Sequence, residues 1–202
     1  MNFFELKIYI LRRIEAELPP NVHYHDLKHT IDVYRIACAL AAKEKVYGEN
    51  LILLKTAVLL HDIGFVKHHK NHEETSCEIS KDILPHFNYS NEQIERICAM
   101  IMATKIPQSP KNHLEKIICD ADLDYLGRDD FPIIAQRLYK ELESFNLIDD
   151  EINWNRLQLS FLTNHRYFTE TAKNMRTKKK REHLNVIKKI VGSYDKQKSG
   201  TV

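Results

Sequence analysis

Apolar positions spaced three and four residues apart recur along most of this chain and predict a series of amphipathic helices. The first runs over residues 3–18 and ends at Pro19-Pro20, because proline cannot continue a helix. A second begins near His29 and is stopped by Gly48. Residues 51–60, LILLKTAVLL, are apolar nearly all round, which predicts a central buried helix rather than a strand, since helical patterns lie on both sides.

The helical pattern continues through the rest of the chain. A helix begins at Asn71 or His72 and ends near Pro85, and Ser90 with Gln93 is typical of a capping box that opens the next one. The chain has only 5 glycines, which also favours helices over tight hairpins. We therefore predict an all-α fold, with further helices around residues 114–121, from residue 130, and around residues 154–161 and 184–191.

Length and composition indicate one globular domain. The 202 residues are 43% hydrophobic, enough for a substantial core, so we predict a single domain over residues 1–192 and a disordered polar tail over residues 193–202. The net charge of +2 gives no reason to expect specific nucleic-acid binding. The basic run 178–181 is interpreted as a solvated helix face.

Cellular location is predicted from what the sequence contains. No apolar run approaches the roughly 18 residues of a membrane span, and the N-terminal apolar run carries Glu5 and Lys7, unlike a signal peptide. We expect a soluble, cytoplasmic protein without a membrane partner. The four cysteines have no metal-binding spacing and are expected to be buried free thiols in a reducing compartment: Cys38, Cys77, Cys98 and Cys119.

Candidate chemistry begins with His61-Asp62, which directly follows the apolar run 51–60. Burying both groups without partners would cost several kcal/mol, and a divalent cation removes that cost by taking both as ligands; the alternative is a surface loop. Asp122 belongs to another apolar helical stretch, and His29 lies at the start of an amphipathic helix. Together they supply two imidazoles and two carboxylates, a set that suits Mn, Mg, Fe, Co, Ni or Zn.

The order His29, His61-Asp62 and Asp122 resembles the H…HD…D signature of the HD superfamily. The sequences "HDIG" at 61–64 and "DADLDYLG" at 120–127 are similar to forms of the motifs found in that family. The resemblance covers roughly residues 20–130. It implies an HD-domain helical bundle with N- and C-terminal helical extensions, and a divalent metal ion held by His29, His61, Asp62 and Asp122, with Asp120 and Asp124 as supporting residues.

The same resemblance implies a metal-dependent phosphohydrolase that cleaves a phosphate mono- or diester of a nucleotide or similar small molecule with metal-activated water. Asp62 would hold the metal with one oxygen and orient the water with the other. The segment Tyr24-His25-Asp26-x-x-His29 is similar to the Y-H-N-x-x-H segment of class I cyclic-nucleotide phosphodiesterases, with Asp26 in place of asparagine. That likeness gives His25 the role of general acid; the alternative is a polar loop residue or a helix cap.

Other residues receive secondary roles from the resemblance. His72 would contact a second metal ion or the phosphate, although Thr104 stands where a further second-metal histidine is expected, so we favour one tightly bound ion. Independently of the resemblance, Lys105, Arg128 and Arg166 are candidates for substrate binding, because their positive charges can approach an anionic phosphate from loops or helix ends. Two alternative functions remain, a dinuclear-iron oxygenase and a non-catalytic metal-binding signalling module. The identity of the metal and of the substrate, and the oligomeric state, stay open.

Overall fold

Residues 1–199 are described by a computed structural model, and within that range every regular element is an α-helix or a 3₁₀ turn. The predicted all-α fold is therefore confirmed. The chain divides into two compact units, Met1–Leu123 and Asp124–Val202, each of which is described by itself. The predicted single domain over residues 1–192 stays a prediction.

The first unit contains helices α1 to α6, and α3 lies at its centre. Helix α3 contacts α1, α2, α5 and α6, which explains why its sequence is apolar nearly all round. Its one buried hydroxyl, on Thr56, is satisfied by the hydroxyl of Tyr89 at 2.8 Å. The bounds are α1 Phe3–Glu17, α2 Leu27–Lys43, α3 Gly48–Leu60, α4 His72–Ile83, α5 Asn91–Thr104 and α6 His113–Asp122, with 3₁₀ turns at Ile63–Val66 and Leu84–Phe87.

Helix boundaries in this unit follow local capping chemistry. The capping box predicted from Ser90 and Gln93 is present, with both reciprocal hydrogen bonds. Helix α2 begins before His29, because the carboxylate of Asp26 accepts hydrogen bonds from the backbone N–H groups of Lys28 and His29. The prediction that Gly48 stops α2 is wrong: α2 ends at Lys43, and Gly48, at φ +60°, is the first residue of α3.

The second unit contains α7, α8 and α9. Their bounds are α7 Phe131–Ser144, α8 Glu151–Asn164 and α9 Glu170–Ser199, preceded by a 3₁₀ turn at Asp124–Gly127. Asp124 is 1% exposed and accepts a hydrogen bond from Arg176 Nε at 2.6 Å, which joins the turn to α9. Helix α9 includes residues 193–199 of the segment predicted to be a disordered tail, and residues 200–202 lie outside the described part of the chain.

The basic run 178–181 was predicted to be a solvated helix face, but one of its residues is buried. Lys180 is only 7% exposed, and its ammonium donates to the carbonyl oxygens of Leu162 and His165 at the end of α8. Burial, with the nearby positive charge of Arg166, lowers the pKa of Lys180 to about 8. The prediction failed because one face of the run packs against α8, which the uniform charge of the sequence conceals.

Lys180 should make the protein more stable as the pH rises from about 8 to 10.5. Over that interval the unfolded chain keeps the Lys180 proton that the folded protein has released, so the free energy of unfolding increases with pH. We expect a gain of about 1–2 kcal/mol, less than the full shift implies because water screens the ammonium. The free energy of unfolding is measured with urea at pH 8 and at pH 10.5. Wild type and Lys178→Met should show this gain, and Lys180→Met should not. The same gain in all three proteins would contradict the assignment of the effect to Lys180.

Within residues 1–199, no helix has a stretch of apolar residues long enough to cross a lipid bilayer.

Candidate metal centre

Three helices of the first unit bring four acidic and imidazole side chains to one point. His29 comes from the first turn of α2, His61-Asp62 from the end of α3, and Asp122 from the last residue of α6. The imidazole of His61 is oriented by its Nδ1, which lies 2.8 Å from the carbonyl oxygen of Val58, so Nε2 faces the cluster. The cluster predicted from residues spread over some ninety positions therefore exists as a spatial group.

The side-chain atoms of this cluster are close to one another. His29 Nε2 lies 3.2 Å from Asp62 Oδ2 and 3.3 Å from Asp122 Oδ1. His61 Nε2 lies 3.0 Å from Asp62 Oδ2 and 3.6 Å from Asp122 Oδ1. Ligands about 2.1 Å from a shared ion, at tetrahedral or octahedral angles, are about 3.0–3.4 Å apart. The four imidazole–carboxylate distances, 3.0–3.6 Å, lie in or just above this range and are compatible with one shared divalent ion.

Burial and hydrogen bonding support the same interpretation. His29, His61 and Asp62 are at most 8% exposed, and His29 Nε2, His61 Nε2 and Asp62 Oδ2 have no hydrogen-bond partner of good geometry. Leaving three such atoms buried and unsatisfied would be costly, whereas coordination of a cation satisfies all of them. One atom each from His29, His61 and Asp122 forms a group in which all lie within 4.8 Å of one another. Asp62 is not a member of that group, although its Oδ2 atom lies 3.2 Å from His29 Nε2 and 3.0 Å from His61 Nε2.

The charges in the cluster are mutually dependent. Burial alone would lower the pKa of His29, but the carboxylates of Asp122 and Asp62 raise it to about 9. Burial alone would raise the pKa of Asp122, but His29 and His61 lower it to about 2. The pKa of His61 is raised and that of Asp62 lowered in the same way. The two carboxylates therefore require positive charge beside them, supplied either by protonated imidazoles or by a metal ion that displaces those protons.

The second oxygen of Asp62 faces a different group. Asp62 Oδ1 lies 3.4 Å from His72 Nε2, and His72 Nε2 also lies 3.4 Å from Glu73 Oε1. Glu73 is 7% exposed in the first turn of α4, and sequence analysis did not single it out. The only feature of the sequence that pointed to Glu73 was its position directly after His72. Helix periodicity does not predict that two adjacent residues face the same site.

An aromatic stack forms one side of the cluster. The ring of Phe65 contacts two imidazoles, with centroids 4.3 Å from His25 and 4.3 Å from His72. His25 is parallel to Phe65 within 14° and lies 5.6 Å from the ring of His29. Phe65 is 4% exposed, so it fixes the orientation of both imidazoles by packing.

Helix α4 is bonded to the chain just after His61-Asp62. The hydroxyl of Ser76 donates to the carbonyl oxygen of His61 at 2.8 Å and accepts from the N–H of Gly64 at 2.9 Å. A Cβ atom on Gly64 would lie 2.1 Å from the backbone oxygen of His72, so only glycine permits this approach. The turn containing Asp62 is thus held against α4 by backbone contact.

The remaining predicted site residues are engaged elsewhere. Thr104 donates to the carbonyl oxygen of Ile101 in its own helix, and Lys105 forms an ion pair with Glu74. In the second unit, Arg128 forms an ion pair with Asp130, and Arg166 donates to backbone carbonyl oxygens. Substrate binding by Lys105, Arg128 and Arg166 stays a prediction.

Comparison with known proteins identifies the region that contains this cluster. Residues 26–124 match the model of the HD domain. Over 100 residues the chain is 38% identical to an uncharacterized protein from Clostridium beijerinckii. That alignment covers 48% of this chain and 63% of the relative, less than two thirds of its length.

Solved structures share the fold at low sequence identity. A predicted HD superfamily hydrolase from an uncultured Thermotogales bacterium is 21% identical with a TM-score of 0.61, over 96% of this chain and 99% of that one. Bacillus subtilis YpgQ in complex with ADP is 17% identical with a TM-score of 0.62, over 95% and 97%. A Lactobacillus plantarum protein is 16% identical with a TM-score of 0.67, over 98% and 97%.

Proposed function

Residues 26–124 of this chain form an HD domain, and on that premise we propose that the protein is a metal-dependent phosphohydrolase. The observation that carries the proposal is the convergence of His29, His61, Asp62 and Asp122 on one point, at spacings of 3.0–3.6 Å. We propose that these four residues hold a single divalent ion. When bound there, such an ion polarises a phosphoryl oxygen and lowers the pKa of a bound water.

The substrate class follows from chemistry and from one relative. A hard cation in a carboxylate and imidazole site suits the oxygens of a phosphate group. Bacillus subtilis YpgQ, which has a similar fold, binds ADP. We propose that the substrate is a phosphate mono- or diester of a nucleotide or a similar small molecule, and that the products are the phosphate or phosphomonoester and an alcohol.

Asp62 has two tasks in the proposed mechanism. Its Oδ2 atom faces His29 and His61 and serves as a ligand, while its Oδ1 atom faces His72. Oδ1 is thereby free of the ligand role and accepts a hydrogen bond from the attacking water, which orients the water for in-line attack. His72, oriented through Nδ1 by the carbonyl oxygen of His69, contacts a phosphate oxygen or a second, weaker ion.

His25 supplies the proton in the second half of the reaction. Its ring stacks on Phe65, and its centroid lies 5.6 Å from that of His29 and 5.9 Å from that of His72, so it lies beside the proposed metal ligands, where a leaving oxygen would be. Histidine is the side chain that most often transfers a proton to a leaving group in enzymes. Phe65 acts here as a positioning residue.

The proposal is tested by loading the purified protein separately with Mn, Mg, Fe, Co, Ni and Zn, and measuring hydrolysis of nucleoside mono-, di- and triphosphates, cyclic nucleotides and 4-nitrophenyl esters. We expect turnover with at least one metal and substrate, and a fall of about 100-fold or more for Asp62→Asn. Asp82→Asn, at an exposed carboxylate on α4, is the matched control and should retain full activity. Full metal occupancy without hydrolysis of any substrate would instead support a non-catalytic module.

Replacing His25 should affect substrates according to their leaving group. A nucleoside leaving group needs a proton, whereas 4-nitrophenolate leaves readily without one. We expect His25→Ala to slow nucleotide hydrolysis about 100-fold and 4-nitrophenyl ester hydrolysis less than about 10-fold. The comparison is made on kcat, with His23→Ala as control because His23 is an exposed histidine two residues away. An equal loss on both substrates would exclude His25 as the general acid.

A further inference from the structure

Two cysteines from different helices meet in the interior of the first unit, in α4 and α5. Cys77 Sγ lies 3.5 Å from the carbonyl oxygen of Cys98, and Cys98 Sγ lies 3.8 Å from the carbonyl oxygen of Cys77. The two thiols also affect each other: Cys77 lowers the pKa of Cys98, and Cys98 raises the pKa of Cys77. Each sulfur therefore lies between the two helices, next to the other.

We propose that Cys77 and Cys98 are a site of reversible oxidation, at which a small hydroperoxide converts the two thiols into an intramolecular disulfide between α4 and α5. Both cysteines are free, and a disulfide requires two sulfurs that approach from facing backbones, as these do. Cys77 is 7% exposed and Cys98 is 8% exposed. A small oxidant can therefore reach them to a limited extent, whereas a larger thiol reagent is hindered.

Cys98 is the attacking thiol. The neighbouring Cys77 thiol lowers the pKa of Cys98 despite burial, and the ammonium of Lys81 lowers it further. The pKa of Cys77 is raised, first by the neighbouring Cys98 thiol and then by burial. Cys98 is thus the member of the pair with greater thiolate character, and Cys77 is the resolving thiol.

The reaction balances without any further reagent. The Cys98 thiolate attacks the hydroperoxide, its O–O bond breaks, and the products are a Cys98 sulfenic acid and an alcohol, or water when the oxidant is hydrogen peroxide. Cys77 sulfur then attacks the sulfenic sulfur, the S–S bond forms, the S–O bond breaks, and the oxygen leaves as water with the Cys77 proton. The two thiols lose two electrons in total, and the hydroperoxide gains them.

The other two cysteines provide internal controls. Cys119 is 0% exposed, its Sγ lies 3.1 Å from the carbonyl oxygen of Ala103, and burial raises its pKa. Burial also raises the pKa of Cys38, which lies beside Tyr34. Of the four cysteines, all of which lie in the described part of the chain, Cys98 alone has a lowered pKa.

The test uses the intact wild-type protein and separates all four cysteines by trypsin, which places them in peptides 36–43, 71–81, 97–105 and 117–128. After treatment with hydrogen peroxide, remaining thiols are alkylated in denaturant before digestion. We expect free thiols to fall from four to two and a linked peptide 71–81/97–105 to appear, lighter than its two reduced parts by two hydrogen atoms. Dithiothreitol should restore four free thiols.

Variants then assign the linkage. Cys38→Ser should form the same linked peptide as wild type, whereas Cys77→Ser and Cys98→Ser should not. The proposal is overturned if wild type yields peptides 71–81 and 97–105 only as separate species, reduced or over-oxidised, or if Cys38 or Cys119 is linked instead. The wild-type digest decides the matter even where a variant fails to fold.

Discussion

Replacing His61 or Asp122 with alanine is expected to abolish retention of the metal ion. Each variant removes one of the four proposed ligands, whose imidazole and carboxylate atoms are 3.0–3.6 Å apart, and the remaining three cannot enclose an ion in the same way. Loss of a residue that merely supports a ligand typically lowers metal affinity 10–100-fold, so loss of a ligand itself should lower it by about 100-fold or more. The measurement is elemental analysis after gel filtration of Mn- or Zn-loaded protein.

Matched variants show whether the loss is specific. His68→Ala removes an exposed histidine that follows the His61-Asp62 pair, and Asp82→Ala removes an exposed carboxylate on α4. Both should retain the metal at wild-type occupancy. A second readout is the metal-induced rise in thermal midpoint, which should persist in the controls and disappear in His61→Ala and Asp122→Ala. Full occupancy in either ligand variant would show that the four-residue assignment is wrong.

Replacing Gly64 with alanine should destabilise the protein strongly through a single added methyl group. That carbon would lie 2.1 Å from the backbone oxygen of His72 and 2.8 Å from its carbonyl carbon, so the backbone itself must move. Movement would also stretch the hydrogen bond from Gly64 N–H to Ser76. We expect a loss of about 3 kcal/mol in the free energy of unfolding, at the upper end of overpacking effects, and a fall in thermal midpoint on the order of 10 °C.

Gly192 provides the control for that substitution. It lies within α9, and a Cβ atom there would meet nothing within 4 Å. Alanine is the better helix former, so Gly192→Ala should leave the thermal midpoint unchanged or raise it slightly. Metal retention should fall in Gly64→Ala, since His61-Asp62 adjoin the displaced turn, and should be unaffected in Gly192→Ala. Wild-type stability of Gly64→Ala would contradict the close approach of the turn to α4.

The sequence allowed the elements of this fold to be predicted more reliably than their ends. The apolar run 51–60 indicated a central helix because its residues had no polar face to turn outward, and α3 is that helix. The capping box at Ser90 was visible because both partners are three residues apart. Gly48 was misassigned because a glycine between two helices can either end the first or begin the second, and only the backbone angles distinguish these cases.

The candidate site could be assembled from the sequence only in part. His29, His61, Asp62 and Asp122 were conspicuous because ionisable groups beside apolar helical stretches need a partner. Phe65 was not conspicuous, because an apolar residue in an apolar segment gives no sign that it packs against both His25 and His72. The burial of Lys180 was likewise invisible, since its neighbours in the chain are charged and only packing against α8 distinguishes it.

Asp26 shows that two different residue types can serve the same structural purpose. Its carboxylate starts α2 by accepting the N–H groups of Lys28 and His29, and the amide oxygen of an asparagine can accept them equally well. Exchange between the two would preserve the direction in which His29 leaves the backbone. Two chains with Asp and Asn at this position can therefore have the same backbone geometry at the start of the helix. Sequence identity alone then underestimates their structural similarity.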